Sequence, residues 1–321
     1  MLSRDVIAID RGFYLARLSA AVEHRRSVVC GSDAYRVVHG EADLLPALVV
    51  DRYAGCLVMQ TLNQAMDRDK EAIAGALTEL FSPTAIVGRN DAPVRAREEL
   101  PLETTMLAGE DPGEVAVVMN GLTFHADLVR GQKTGVFLDQ RENYAAAAGY
   151  ARGRALDCFT STGGFALHLA AHCEYVKAAD SSPHALALAG RNRVANGIAN
   201  VEFAAADVFD LLASTRERFG LIVLDPPAFA KSRQAIEGAA RGYKEINLRA
   251  LKLLERGGIL VSCSCSHHVS EAMLLEIIAE ASLDAGRTLR VLERRTQARD
   301  HPILLTVPET HYLKCLILQV M

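Results

Sequence analysis

Asp157-Cys-Phe-Thr-Ser-Thr-Gly-Gly164 follows a short apolar run, Ala155-Leu-Asp157, and leads into a helical stretch from Gly164 to Ala171. Strand, glycine turn and helix in that order open an α/β unit. A glycine pair in such a turn lets the backbone pass close to a ligand, and Thr160, Ser161 and Thr162 offer hydrogen-bond donors beside it. The dinucleotide fingerprint needs three spaced glycines to admit a pyrophosphate at the helix start. That spacing is missing here, which disfavours NAD and FAD.

Downstream of the turn the alternation continues. A strand at 175–180 precedes a helix at 183–196, with Pro183 near the first helical position, where its missing N–H costs nothing. A strand at 201–205, a helix at 208–215 and a strand at 221–224 ending at Asp225-Pro226 come next, then a helix at 243–254 and a strand at 257–262. Short apolar strands alternating with helices predict a parallel sheet covered on both faces.

Upstream the rhythm differs. Residues 13–22 have helical periodicity, 34–39, 47–50, 56–61, 85–87 and 115–119 are strand-like, and a helix at 66–80 is stopped by Ser82-Pro83. Asn90 to Gly113 reads as a polar loop, and Asn120-Gly121 as a type I′ hairpin turn. The expected fold class is α/β: a Rossmann-like C-terminal sheet covered by helices, preceded by a small mixed α+β domain. The expected boundaries are an N-terminal helical segment at 1–33, the small domain at 34–125 and the C-terminal domain at 126–321.

Composition sets limits on function. Half of the 321 residues are hydrophobic and 23% are charged, which suits a globular chain. No segment has the length of a bilayer span and the first residues lack the apolar run of a signal peptide, so the expectation is a cytoplasmic protein away from membranes. The seven cysteines are scattered without CxxC spacing, against a disulfide framework or a structural metal site. A net charge of −4 argues against holding nucleic acid by blanket phosphate neutralisation. Two basic stretches, 231–256 and 283–300, are segregated candidates for phosphate contact.

Three acids fall at successive strand ends. Asp157 would face a ligand ammonium, Asp180 suits a ribose diol, and Asp207 is placed to accept from an adenine amine. S-adenosylmethionine has an ammonium, a ribose and an adenine but no phosphate, and it fits this set. At the fourth strand end stands Asp225-Pro-Pro-Ala-Phe229, where Pro226 and Pro227 stiffen the backbone and Phe229 is able to stack on a planar ring.

The fifth strand carries Cys263 and Cys265, which alternation places on one face, with Ser264 on the other. C5 of a pyrimidine is too weak a nucleophile to attack a methyl sulfonium. Addition of a thiolate at C6 makes it enamine-like, and a base must later remove the C5 proton. Asp225 is the candidate for that acid or base role. Either cysteine, or neither, meets this need on the residues alone.

Several segments in order resemble the bacterial large-subunit (23S) ribosomal RNA cytosine-5 methyltransferases of class I fold, from about residue 34 to the C-terminus. They are 131–141, 157–164, 225–229, Arg241-Gly-Tyr-Lys-Glu-Ile-Asn247, 257–266, Asp300-His-Pro302, Pro308-Glu-Thr310 and Tyr312-Leu-Lys314. The resemblance implies that Ser264-Cys265-Ser266 carries the nucleophile, Cys265, and that Cys263 is an ordinary strand residue. It also implies a cofactor and substrate mouth lined by 132–141. Phe159, Thr160, Ser161, Gly163, Gly164, Lys133, Phe137, Asp139 and Gln140 would then face the cofactor. Arg141, Pro226, Pro227, Phe229, Tyr243 and Lys244 would face the substrate, with Lys133 and Arg141 able to meet phosphate. The implied partners are ribosomal RNA and a second copy in a homodimer.

Two departures from that family are expected: the stretch before residue 34 is too short for the usual N-terminal PUA domain, and His267-His268-Val269 stands where Gly-Leu-Met-like residues are usual. No metal is expected, since the histidine pair lacks a third ligand. Two other functions stay open: methylation of an amine or another planar substrate, and a non-catalytic RNA-binding or assembly role.

Overall fold

The computed structural model describes residues 6–131, 136–230 and 233–321, and the chain divides into two compact units. The first comprises Met1–Asp139 and Ala298–Thr310; the second comprises Gln140–Gln297 and His311–Met321. The division thus falls at Asp139/Gln140 rather than at 125/126, and a late segment returns to the first unit.

In the first unit, α1 (Arg11–Val28) is capped by Asp10, which accepts from the Phe13 amide at 3.0 Å. After it come β1 (Ala34–His39), β2 (Leu48–Tyr53), β3 (Cys56–Thr61), α2 (Gln64–Arg68), α3 (Lys70–Phe81), β4 (Ala85–Asn90) and β5 (Glu103–Ala108). The five strands form one sheet in chain order, antiparallel except at β3–β4. Phe13, Tyr14, Leu18 and Ala21 of α1 share a core with Val37, Leu48, Leu57, Ile73 and Leu77. The N-terminal helix therefore belongs to the small unit's own core and is not a separate segment.

That helix runs six residues beyond its expected end because Arg25 is buried. Its guanidinium donates to both carboxylate oxygens of Asp43, to the Arg36 carbonyl at 2.9 Å and to the Asp300 carbonyl at 2.8 Å. A buried arginine with this many acceptors looks like a surface residue in the sequence. The hairpin of β6 (Glu114–Met119) and β7 (Leu122–Asp127) turns at Asn120 and Gly121 with φ of +51° and +83°, the positive pair a type I′ turn needs.

In the second unit the elements are α4 (Arg141–Ala148), β8 (Arg154–Cys158), α5 (Gly164–Ala170), β9 (Tyr175–Asp180), α6 (Pro183–Ala195), β10 (Val201–Ala205), α7 (Val208–Ser214), β11 (Phe219–Leu224), α8 (Ile236–Leu253), β12 (Leu254–Ser264), α9 (Glu271–Asp284), β13 (Leu289–Arg295) and β14 (Lys314–Val320). The sheet order is β10-β9-β8-β11-β12-β14-β13. The first five strands are parallel, and β14 runs antiparallel to both neighbours.

β11 is fully buried along its length. Ile222 and Leu224 join the core with Tyr243, Ile246 and Leu274 from α8 and α9. Leu221 and Val223 point to the opposite face, as the two-residue period requires, and are equally buried. Both faces are therefore covered, and unbroken apolar strands are the result. The strand order reverses between β8 and β11, so their C-terminal ends frame the crevice where open α/β sheets bind ligands. No helix among the described residues is long and apolar enough to cross a membrane.

Candidate functional site

The turn after β8 is held in a strained backbone. Phe159 and Ser161 have φ of +65° and +49°, conformations that L-residues adopt at a cost of about 1–3 kcal/mol each when the surroundings impose them. Here the surroundings do so: the Thr160 amide donates to the Ala179 carbonyl at 3.0 Å and the Ser161 amide to Asp180 Oδ2 at 2.9 Å. Asp157 is fully buried beneath the turn. Its Oδ2 accepts from Thr160 Oγ1 at 2.6 Å and the Ala166 amide at 2.9 Å. Its Oδ1 meets no donor among the described residues. Burial pushes the carboxyl up to about 7, partly offset by those two hydrogen bonds, with Asp225 and Asp180 adding to the rise. An orphaned oxygen on a desolvated acid fits a ligand that brings a positive charge.

The glycine pair also has a cause within the protein itself. A Cβ on Gly164 would lie 2.4 Å from Tyr144 Cζ and 2.5 Å from its hydroxyl. Tyr144 of α4 is itself buried, edge-on to Phe165 at 4.7 Å. Gly163 has φ of +88° and faces Leu167 and Ala189. The pair is thus demanded by the protein's own packing and turn geometry.

Asp180 ends β9 half-buried, accepting from the amides of Ser161 and Ser182. Asp207 is exposed and caps α7, accepting from the Phe209 amide at 2.7 Å and the Asp210 amide at 3.3 Å. Oδ1 of the carboxylate read as an adenine acceptor thus also serves as a helix cap. Lys133, with the rest of 132–135, lies outside the described residues. Phe137 and Asp139 belong to the first unit, while Gln140 is buried in the second and accepts from Asn143 Nδ2 at 2.7 Å. Arg141 is also buried, which is unlike a phosphate-seeking surface arginine.

At the end of β12 the two cysteines separate. Cys263 is fully buried against Cys315, its register partner, and burial raises its thiol well above the ordinary value. Cys265 lies just past the strand and is half-buried, its Sγ 3.9 Å from the Pro226 carbonyl. The residues on either side of it are anchored: Tyr243 Oη lies 2.9 Å from Ser264 Oγ and 3.1 Å from Ser266 Oγ. Lys314, on β14 opposite Ser264, donates to the Ser266 carbonyl at 2.7 Å and the Tyr312 carbonyl at 2.8 Å.

Asp225 follows β11, its amide 3.4 Å from the Cys158 carbonyl, and its charge is felt by Asp157, Tyr243 and Cys263. Pro226 is buried and Pro227 exposed. Phe229 packs on Tyr243 at 4.8 Å and Phe209 at 6.2 Å, over the open face of Gly242. The structure thus brings Asp157, Asp225, Pro226, Phe229, Tyr243 and Cys265 to the C-terminal ends of β8, β11 and β12.

The roles of Tyr144, Ser264, Ser266 and Lys314 were missed. A lysine opening the apolar run Lys314-Cys-Leu-Ile-Leu318 was the available signal for one of them.

Four side chains of the basic stretches form ion pairs with acids of the second unit. Lys244 sits between Glu280 and Asp284 of α9 at 3.1 and 3.0 Å, Arg249 pairs with Glu245, Arg294 with Glu271 and Arg295 with Glu293. Lys244 thus has acidic partners that a substrate-contact reading did not foresee. His267 and His268 meet edge-on with centroids 5.6 Å apart, and no group of three or more metal-ligating side chains occurs among the described residues.

Comparison with known proteins agrees with this geometry. A family model described as S-adenosylmethionine-dependent methyltransferase matches residues 35–318. The ribosomal RNA large subunit methyltransferase I of Aeromonas hydrophila subsp. hydrophila is 41% identical over 322 residues, covering 97% of this chain and 81% of that protein. The protein of the same name from Shewanella amazonensis is 41% identical, covering 98% and 82%. Among solved structures, a methyltransferase complexed with SAH superposes with a TM-score of 0.87 at 18% identity, covering all of this chain and 84% of the other. A SAM-dependent methyltransferase from Streptococcus mutans gives 0.86 at 19%, with the same coverage.

Proposed function

This chain belongs to the S-adenosylmethionine-dependent methyltransferases and takes S-adenosylmethionine as its cofactor, and from that premise we propose that it methylates C5 of a cytosine in ribosomal RNA through a cysteine adduct at C6. The RNA substrate follows the relatives, named as large-subunit ribosomal RNA methyltransferases. The carbon acceptor rests on one observation: Cys265 presents a half-buried thiol at the crevice, next to Asp225-Pro226, while Cys263 is sealed in the sheet.

Asp157 and Asp180, with the turn between them, are the residues that would hold the cofactor, by its ammonium and ribose. The cofactor supplies an electrophilic methyl group. A cytosine must leave its stack to reach the crevice, where Phe229 and Pro226 form its wall. Cys265 Sγ attacks C6, and the electron pair of the C5–C6 double bond moves toward C5, the carbon to be methylated. Asp225 takes the C5 proton afterwards, the pair returns to the ring and the thiolate departs. Tyr243, by bridging the hydroxyls on both sides of Cys265, keeps the nucleophile in place.

The test uses the intact protein, labelled cofactor and total RNA from cells lacking the gene. The expected product is 5-methylcytidine in large-subunit RNA, lost in Cys265→Ala and kept in Cys263→Ala. Label on an exocyclic amine would replace this reading by amine methylation. No transfer to any RNA would point instead to a binding or assembly role.

A further inference from the structure

We propose that Lys314 is a positioning residue for Cys265: its buried ammonium, pinned between two main-chain carbonyls beside the cysteine, is the countercharge that favours the thiolate. This rests on the reading of Cys265 as nucleophile.

Lys314 opens β14 opposite Ser264 and is 3% exposed. A lysine that deep is costly unless its charge is answered. Two of its three donors are engaged: one goes to the Ser266 carbonyl and one to the Tyr312 carbonyl. Both acceptors are neutral, so neither supplies a balancing charge. Burial pulls the ammonium down to about 8, and Cys265 pulls it back up. The Coulombic relation is mutual, so a charge on Lys314 favours a charge on Cys265.

Among the other groups around the cysteine, the Asp225 carboxylate works against ionisation, as it does for Tyr243 and Cys263. Asp225 follows β11 and bears negative charge, and Tyr243 of α8 faces both Cys265 and Asp225 with its own ionisation suppressed by burial. His267 and His268 follow after Ser266, the first of them exposed. On ionisation the thiol proton leaves to water and Lys314 keeps its own. Cysteine and lysine then titrate as a pair.

The experiment is alkylation of Cys265 by iodoacetamide from about pH 6 to 9.5, read on the Cys265 peptide by mass spectrometry so that the other six cysteines do not interfere. In the wild-type protein the midpoint should fall below the value of about 8.5 for a free cysteine. Lys314→Met should raise it by about one unit and slow alkylation at neutral pH by about tenfold, while Lys314→Arg keeps it low. Coincident profiles for wild type and Lys314→Met overturn the proposal. So does a wild-type midpoint at or above the free-cysteine value, a result that needs no variant to fold. The nucleophile reading is tested separately by methyl transfer in Cys265→Ala. A shifted alkylation profile beside an active Cys265→Ala protein would overturn the adduct reading alone.

Discussion

Gly164→Ala separates two explanations of the glycine turn. The added methyl would sit 2.4 Å from Tyr144 Cζ, about 1 Å inside ordinary contact, and the tyrosine has little room to retreat. Its ring is 5% exposed, edge-on to Phe165 and 5.2 Å from His168. Overpacking of this kind costs about 1–3 kcal/mol. At about 2–4 °C per kcal/mol for a domain of this size, the melting temperature should fall by about 2–12 °C.

Calorimetry gives that number directly, and a double-mutant cycle with Tyr144→Ala assigns it. Removing the ring should abolish most of the penalty of the methyl, leaving a coupling of about 1 kcal/mol or more. If Gly164→Ala melts like wild type and instead loses only cofactor affinity, the glycine serves the ligand and the packing argument is wrong.

Three further outcomes are expected. Asp157 titrates near 7 in the ligand-free protein, and an ammonium-bearing ligand favours its ionised form, so cofactor affinity should be level above pH 7 and fall up to about tenfold per unit below it. A pH-independent dissociation constant by calorimetry down to about pH 5.5 would separate Asp157 from the cofactor. His39 is held neutral by burial and by Arg36, its value down to about 2, so folding stability is full above about 6.5 and drops by up to about 1.4 kcal/mol per pH unit below it. His39→Gln should flatten that slope in acid melts, and an unchanged slope counts against the assignment. Arg25→Met leaves Asp43 buried without its cation and should cost about 3–5 kcal/mol in denaturant unfolding, whereas a loss under about 1 kcal/mol contradicts the buried-pair account.

The second unit was legible from its strands because both faces of the sheet are covered, which makes β8 to β12 read as short apolar runs with turns between them. What escaped the sequence escaped for physical reasons. β5 is an edge strand, Glu103-Thr-Thr-Met-Leu-Ala108, with no buried position along it, and it reads as loop. α9, β13 and β14 follow the cysteines, and the return of 298–310 to the first unit splits the last two strands in sequence. The beginning of α8 at Ile236 is obscured by Gly238 and Gly242, which weaken the helical pattern of its first turns.

At the site, composition suggested what a strand end carries but not what each atom touches. Asp157, Asp180 and Asp207 look alike in sequence, yet one has an orphaned oxygen, one braces the turn and one caps a helix. Alternation placed Cys263 and Cys265 together, whereas the strand ends at Ser264 and frees Cys265 from the pleat. The anchors Tyr243 and Lys314 come from α8 and β14, and spacing within one segment has no means of revealing them.

The proposed reaction turns on a covalent bond between Cys265 and C6 of the target cytosine. RNA carrying 5-fluorocytidine tests it most directly, because the fluorine at C5 cannot leave as the proton does and the adduct is trapped after methyl transfer. With cofactor present, wild type and Cys263→Ala should each form a protein–RNA adduct that mass spectrometry places on Cys265, and Cys265→Ala should form none. An adduct on another residue, or methylated RNA with no adduct in wild type, would contradict the account.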